Sequence, residues 1–209
     1  MALEGTHIRF ALDVSEKYQV KDLAKYLAGA IYPDSRYMTK INRELTHPHD
    51  YRNWDVMTID DFRKGWFVHL LYDDLQFEVM SDNFPELAEI GPQWSESWIK
   101  RSSVKNLQDI SDMREVDIKP YLHWLEYAEN PNHEDLNIVK NYNKHVQDMY
   151  ASGVDIQKCV DFWQILIQNE TMANKIKSIS EEFSKDLDFM GRVKKIYNRT
   201  IEKFHDQQK

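Results

Sequence analysis

A single cysteine (Cys159), six glycines and six prolines are all that this chain of 209 residues holds of the types that cross-link or break a backbone. One thiol excludes an internal disulfide and suits a reducing compartment. So few glycines and prolines exclude a many-turned sheet protein and favour long helices with short connections. Positive charge is scarce too: 27 lysines and arginines stand against 35 acids, a formal net charge of −8. That balance argues against a broad electrostatic grip on polyanions, so no stable nucleic-acid binding is expected. No run approaches the roughly 18–20 apolar residues of a membrane span. The opening "MALEGTHIRF" lacks the basic start and apolar stretch of a secretion signal. The expected location is the cytoplasm.

What is present is a folding composition. Hydrophobic residues make up 42% and aromatics 12%, enough to build one core and a single domain over residues 1–209. Periodicity sketches the elements. Thr6 reads as a cap for a short helix carrying His7, Ile8 and Phe10. Val20, Leu23, Leu27 and Ile31 share a helical face that Pro33 ends. Thr58 with Asp61 forms a capping-box pattern for a helix reaching about Met80, with Phe62, Trp66, His69, Asp73 and Phe77 on one face. "FPEL" and "GPQW" mark turns. A helix over about Leu136–Tyr150 and another from Asp155 follow, and Met172 to about Phe204 reads as one long amphipathic stretch. The expectation is all-α: a bundle of about seven helices.

The polar residues on these apolar faces carry the chemistry. In "GWFVHLLYDD", His69 and Asp73 stand four apart, which on a helix brings them to one face about 5–6 Å apart. Burying an imidazole and a carboxylate there is unfavourable unless each finds a partner, and either a neighbouring helix or a divalent cation serves. The pair has company: His7 near the start, Asp34 after Pro33, and His47 in "LTHPHD". Imidazole nitrogen mixed with carboxylate oxygen suits zinc, manganese or iron, and the lack of thiolates speaks against a closed structural zinc site.

The motifs "THIRFAL", "GAIYPD", "LTHPHD" and "GWFVHLLYDD" occur in the order His, Gly-x-x-x-Pro-Asp, Thr-His, Gly-x-x-x-His-x-x-x-Asp. In this the chain resembles the zinc-dependent phospholipase C superfamily, which includes single-strand nucleases, over roughly residues 7–77. The resemblance implies a phospholipase C-like helical bundle in which Asp34, His47, His69 and Asp73 bind one zinc. It further implies that His7 binds a second ion bridged by Asp73. Three departures reduce the expected number to one or two ions. Met1, whose amine position in the family is a ligand, stands six residues before His7. No histidine follows Asp73 within two turns. "HWLE" at His123–Glu126 has ligand-type residues at a spacing other than the family's His-x-x-x-Glu.

The function these residues suggest is hydrolysis of a small phosphoester. The metal lowers the pKa of a bound water, Asp34 or Asp74 orients that water as a base, and Arg36 holds a phosphate through its guanidinium fork. Two other readings compete. His49–Asp50 provides the doublet of an HD-type phosphohydrolase, although in a turn-rich stretch. Alternatively the chain is a non-catalytic metal-binding or helical interaction module, with Trp54, Trp94 and Trp98 available to a partner. The carboxy-terminal amphipathic segment suits either pairing with a second copy or packing at home.

Overall fold

The computed structural model describes residues 3–87, 89, 91–92 and 94–207. Met1 and Gln93, named above as a ligand position and part of a turn, lie outside them. Among the described residues there is no strand, and the all-α expectation holds. The α-helices are α1 (Glu4–Val14), α2 (Leu23–Ile31), α3 (Arg36–Thr39), α4 (Arg43–Thr46), α5 (Asp61–Asn83) and α6 (Glu96–Glu115). They continue with α7 (Leu136–Ala151), α8 (Ile156–Ile167), α9 (Glu170–Phe183), α10 (Leu187–Val193) and α11 (Ile196–Asp206). Tighter 3-10 turns occupy Tyr32–Ser35, Tyr51–Asn53, Pro85–Leu87 and Lys119–Glu126. No helix among the described residues is long and apolar enough to cross a membrane.

Among the described residues these eleven helices exceed the expected seven, and side-chain caps open several of the added ones, α4 and α10 included. The segment Met172–Phe204 is not one helix but parts of α9, α10 and α11. Asp186 accepts a hydrogen bond from the Phe189 amide at 3.0 Å and so opens α10 as a new helix. Upstream, α8 ends at Gln168 in the left-handed conformation, and Asn169 at once caps α9 through the Met172 amide. Two expected starts also shift. Helix α1 begins before Thr6, whose amide and hydroxyl instead both donate to Asp109 Oδ1, at 2.8 and 3.0 Å. At α5 the cap is Asp60, which accepts from the Arg63 amide at 3.0 Å, while Thr58 bonds the Asp55 carbonyl in the preceding turn.

Asp61 has a different task. Its carboxylate accepts from the Lys21 and Asp22 amides at 2.8 and 2.7 Å and from Lys64 Nζ at 2.8 Å, joining the start of α2 to the start of α5. Burial pushes its pKa up, but these donors outweigh that and hold it below the ordinary 3.8.

The chain divides into two compact units. One comprises, among the described residues, 3–6, 72–116 and 154–207. Its centre is α6, buried on every side from Ser102 to Asp112. The polar residues of that stretch find partners: Trp163 Nε1 donates to Asn106 Oδ1 at 2.8 Å, and Gln108 Nε2 to the Tyr72 hydroxyl at 2.7 Å. Val104 and Leu107 of α6 join Val79, Met80, Phe84, Phe189, Val193 and Ile196 in one apolar cluster. Phe77, expected on the buried face of α5, is 38% exposed. The guanidinium of Arg101 covers its ring at 4.7 Å. Trp94 and Trp98, expected at the surface, are half-buried in an edge-on series that ends on Trp163.

The other unit comprises residues 7–71 and 117–153. Here α2 and α5 cross with their backbones in contact. A Cβ on Gly29 would lie 1.9 Å from the Phe62 carbonyl oxygen, and one on Gly65 would lie 1.9 Å from that of Tyr26. Only glycine permits this approach from both sides. Tyr26 donates from its hydroxyl to the Ala11 carbonyl at 2.9 Å, tying α1 to the same crossing. Asn143 and Gln147 of α7 donate to the Tyr127 and Leu122 carbonyls, each at 2.8 Å, and so hold the 119–126 turn against α7.

Gly65→Ala tests the crossing. Helix propensity alone would stabilise the variant by about 1 kcal/mol. The contact with the Tyr26 carbonyl reverses that sign, with a net loss of roughly 2–3 kcal/mol expected from the denaturant midpoint. An unchanged or raised midpoint would contradict the close approach.

Candidate metal centre

The glycine crossing sets the register of the candidate site. With α2 and α5 this close, the Ala30 carbonyl meets the His69 ring, and His69 Nδ1 lies 2.8 Å from that oxygen. A carbonyl can only accept, so Nδ1 carries a proton, and in the neutral form of such a ring the lone pair belongs to Nε2. This is the tautomer a metal requires from a histidine that binds through Nε2. Gly65 stands one helical turn before His69, and Asp73 one turn after it.

The other candidates gather around this ring. The imidazole of His7, from α1, stacks on that of His69 with centroids 3.8 Å apart and planes 11° from parallel. His47, just past α4, meets His69 edge-on at 5.5 Å. Its Nε2 lies 4.0 Å from Asp34 Oδ1, and its Nδ1 lies 2.9 Å from the Thr46 hydroxyl. Trp66 fixes this turn to α5 by donating from Nε1 to the Thr46 carbonyl at 2.7 Å. His7 and His69 are 1% exposed, Asp34 4% and His47 5%. Asp73 is half-buried.

Two groups of ligand atoms result, one from His7, Asp34 and His69 and one from His47, His69 and Asp73. Within each, the atoms lie within 4.8 Å of one another. Two ligands of one zinc ion stand at most about 4.2 Å apart, twice a bond of roughly 2.1 Å. The His7 and His69 rings stack nearly parallel, so converging their in-plane lone pairs on one ion asks for rotation of a ring as well as a closer approach. The donor set fits a divalent cation: imidazole nitrogens with one lone pair defined by its partner, and carboxylates whose buried charge the cation balances. All five ligand candidates are therefore brought together, with His69 shared by both groups.

The remaining candidates stand elsewhere. Asp74 belongs to neither group, since the residue after Asp73 is turned by about 100° around the helix. Arg36 is half-buried, its guanidinium 4.1 Å over the Tyr37 ring. His49 and Asp50 sit exposed in a turn outside both groups, and His123 is exposed in the 119–126 turn against Trp124. Trp54 packs edge-on against Trp66 at 5.5 Å.

Several positioning contacts escape a reading by motif. Asn132 donates from Nδ2 to the Tyr32 hydroxyl at 2.7 Å, and its amide donates to Glu134 Oε2 at 3.0 Å. Burial and then the Glu134 carboxylate, which accepts from the Tyr32 hydroxyl, push the tyrosine pKa up. This triad anchors the turn that presents Asp34. Its only trace in the sequence is the loop "NPNHED", which offers no period to detect.

No family model, no curated protein and no solved structure matches the chain.

Calorimetric titration of chelator-treated protein with zinc should give one or two ions per chain. Asp34→Asn and His69→Gln should each weaken binding by roughly 100-fold or more, and Thr46→Val, which removes the hydroxyl that meets His47 Nδ1 and the Arg43 carbonyl, by about 10-fold. Equal affinity in all four proteins would place any zinc elsewhere.

Proposed function

We propose that the chain is a metal-dependent hydrolase of a small phosphoester, a divergent member of the zinc-dependent phospholipase C superfamily with that family's helical arrangement. The observation that carries this reading is the convergence of His7, Asp34, His47, His69 and Asp73 into two overlapping groups. Zinc is the preferred ion, manganese and iron suiting the same nitrogen and oxygen donors. When bound, such an ion supplies a water acidified toward neutrality and a Lewis-acid contact for a phosphoryl oxygen.

The chain's own residues supply the rest. His69, its Nδ1–H held by the Ala30 carbonyl, keeps its other nitrogen turned to the donor cluster. Asp34 accepts the proton of the attacking water, with Asp74 as the alternative base. Arg36, two residues beyond Asp34 and stacked on Tyr37, binds two phosphate oxygens through its planar fork. Low exposure favours this chemistry by strengthening charge interactions at the reacting phosphorus.

The same low exposure, 1–5% for His7, His69, Asp34 and His47, supports a second reading. Structural metal sites are closed, whereas catalytic ones keep a position open for water. A metal-stabilised module without turnover is the alternative.

The discriminating experiment loads the protein with zinc or manganese and assays phosphodiester and phosphomonoester substrates. Turnover that falls by at least about 100-fold in His69→Gln, and by about 10-fold or more in Arg36→Gln with metal content unchanged, supports the hydrolase. Stoichiometric metal with no turnover on any ester supports the module. Turnover that persists in His69→Gln defeats the assignment of the site.

A further inference from the structure

The unit built around α6 contains a cavity of about 450 Å³ that shares no residue with the His/Asp cluster. That volume falls in the range of small-molecule sites, roughly 300–1,000 Å³. Leu107 and Ile110 of α6 form its apolar floor at 2% and 7% exposure, with the half-buried Ile156 and Met190 beside them. Two cations, Arg114 and Lys194, also line it, both on exposed residues. Among the described residues neither forms an ion pair.

The other polar groups of the lining have tasks already. The Asp155 carboxylate caps α8, accepting from the Lys158 amide at 2.8 Å. Gln157 donates to Asp161 Oδ1 at 2.7 Å and accepts from Lys177 Nζ at 2.6 Å. The Ser184 hydroxyl donates to the Glu181 carbonyl at 2.8 Å. Asp155 is the one acid in the lining, and its charge is offset by the amides of the helix start it caps. The cavity therefore combines an apolar floor with two cations and a net positive charge, on a chain whose overall charge is −8.

We infer that this cavity binds an amphipathic anion: an apolar chain seated on Leu107, Ile110, Ile156 and Met190, with a terminal carboxylate or phosphate held by Arg114 and Lys194. Apolar burial supplies the attraction for the chain. The two cations select the charge of the head, and an arginine offers a carboxylate or a phosphate the same bidentate fork. The inference is independent of the hydrolase reading, because removing the metal ligands leaves every residue of the cavity in place.

The test titrates the full chain with decanoate, decyl phosphate, 1-decanol and decyltrimethylammonium, each below its aggregation threshold, following methyl resonances by NMR. Either anion should saturate by about 1 mM, shift the Ile110 and Met190 methyls, and bind at least tenfold more tightly than the alcohol. The tighter of the two anions identifies the head group. Arg114→Gln and Lys194→Gln should each weaken the anions by about 3- to 10-fold, and the pair together should reduce them to the level of the alcohol. Both residues are exposed, so the melting temperature should not move. The inference is overturned by alcohol or ammonium binding as tightly as the anions. It is equally overturned by full anion affinity in the double variant, by shifts mapping away from the cavity, or by no saturable binding of either anion.

Discussion

The close approach of α2 and α5, permitted by one glycine on each, governs everything local to the candidate site. Gly29 and Gly65 allow α2 and α5 to touch backbone to backbone, at a separation where a Cβ on either would fall inside a carbonyl oxygen. Helices separated by side chains usually stand 8–10 Å apart at their axes, too far for the carbonyl of one to meet a short side chain of the other directly. With the side chains absent, the Ala30 carbonyl reaches His69 and determines which imidazole nitrogen is protonated. Tertiary packing is thereby converted into a statement about coordination chemistry. The residue that permits the approach and the residue that benefits are one helical turn apart on α5.

The surrounding contacts extend the same logic outward. Trp66 fastens the Thr46–His47 turn to α5, Asp61 joins the start of α2 to that of α5, and Asn132 with Glu134 steadies Tyr32 beside Asp34. Each is a hydrogen bond made largely out of water, where a missing partner costs about 1–3 kcal/mol. Five titratable groups can gather in so little space because the scaffold holds their backbones from several sides. A divalent cation bound here would balance the buried carboxylates, which would link the stability of the protein to occupancy of the site.

Much of the constellation was legible in the sequence because ligand-bearing motifs have short-range spacing. His69 and Asp73 four apart, and Asp34 directly after a helix-ending proline, are readable without knowing the fold. The all-α class was equally legible from sparse glycine and proline and from apolar periods. Other features left no such trace. Helix α6 is buried all round from Ser102 to Asp112 yet carries Lys105, Asn106, Gln108, Asp109 and Asp112 there, so no apolar stripe distinguishes its faces. Continuous amphipathicity from Met172 onward concealed two breaks, because Asp186 looks like any surface acid until its cap to Phe189 is seen. Thr6 matched a cap by type, but a carboxylate 103 positions away claims both its amide and its hydroxyl. Partners distant in sequence are the common cause: local pattern cannot report which element a polar group will meet.

In the proposed site His7, Asp34, His47, His69 and Asp73 surround a divalent cation. Crystals of the zinc-reconstituted chain, measured on both sides of the zinc absorption edge, test it most directly. The expected result is an anomalous peak beside His69 Nε2, with imidazole nitrogen and carboxylate oxygen from this set at about 2.0–2.2 Å. A peak confined to exposed histidines such as His49 or His123, or none after reconstitution, would contradict it.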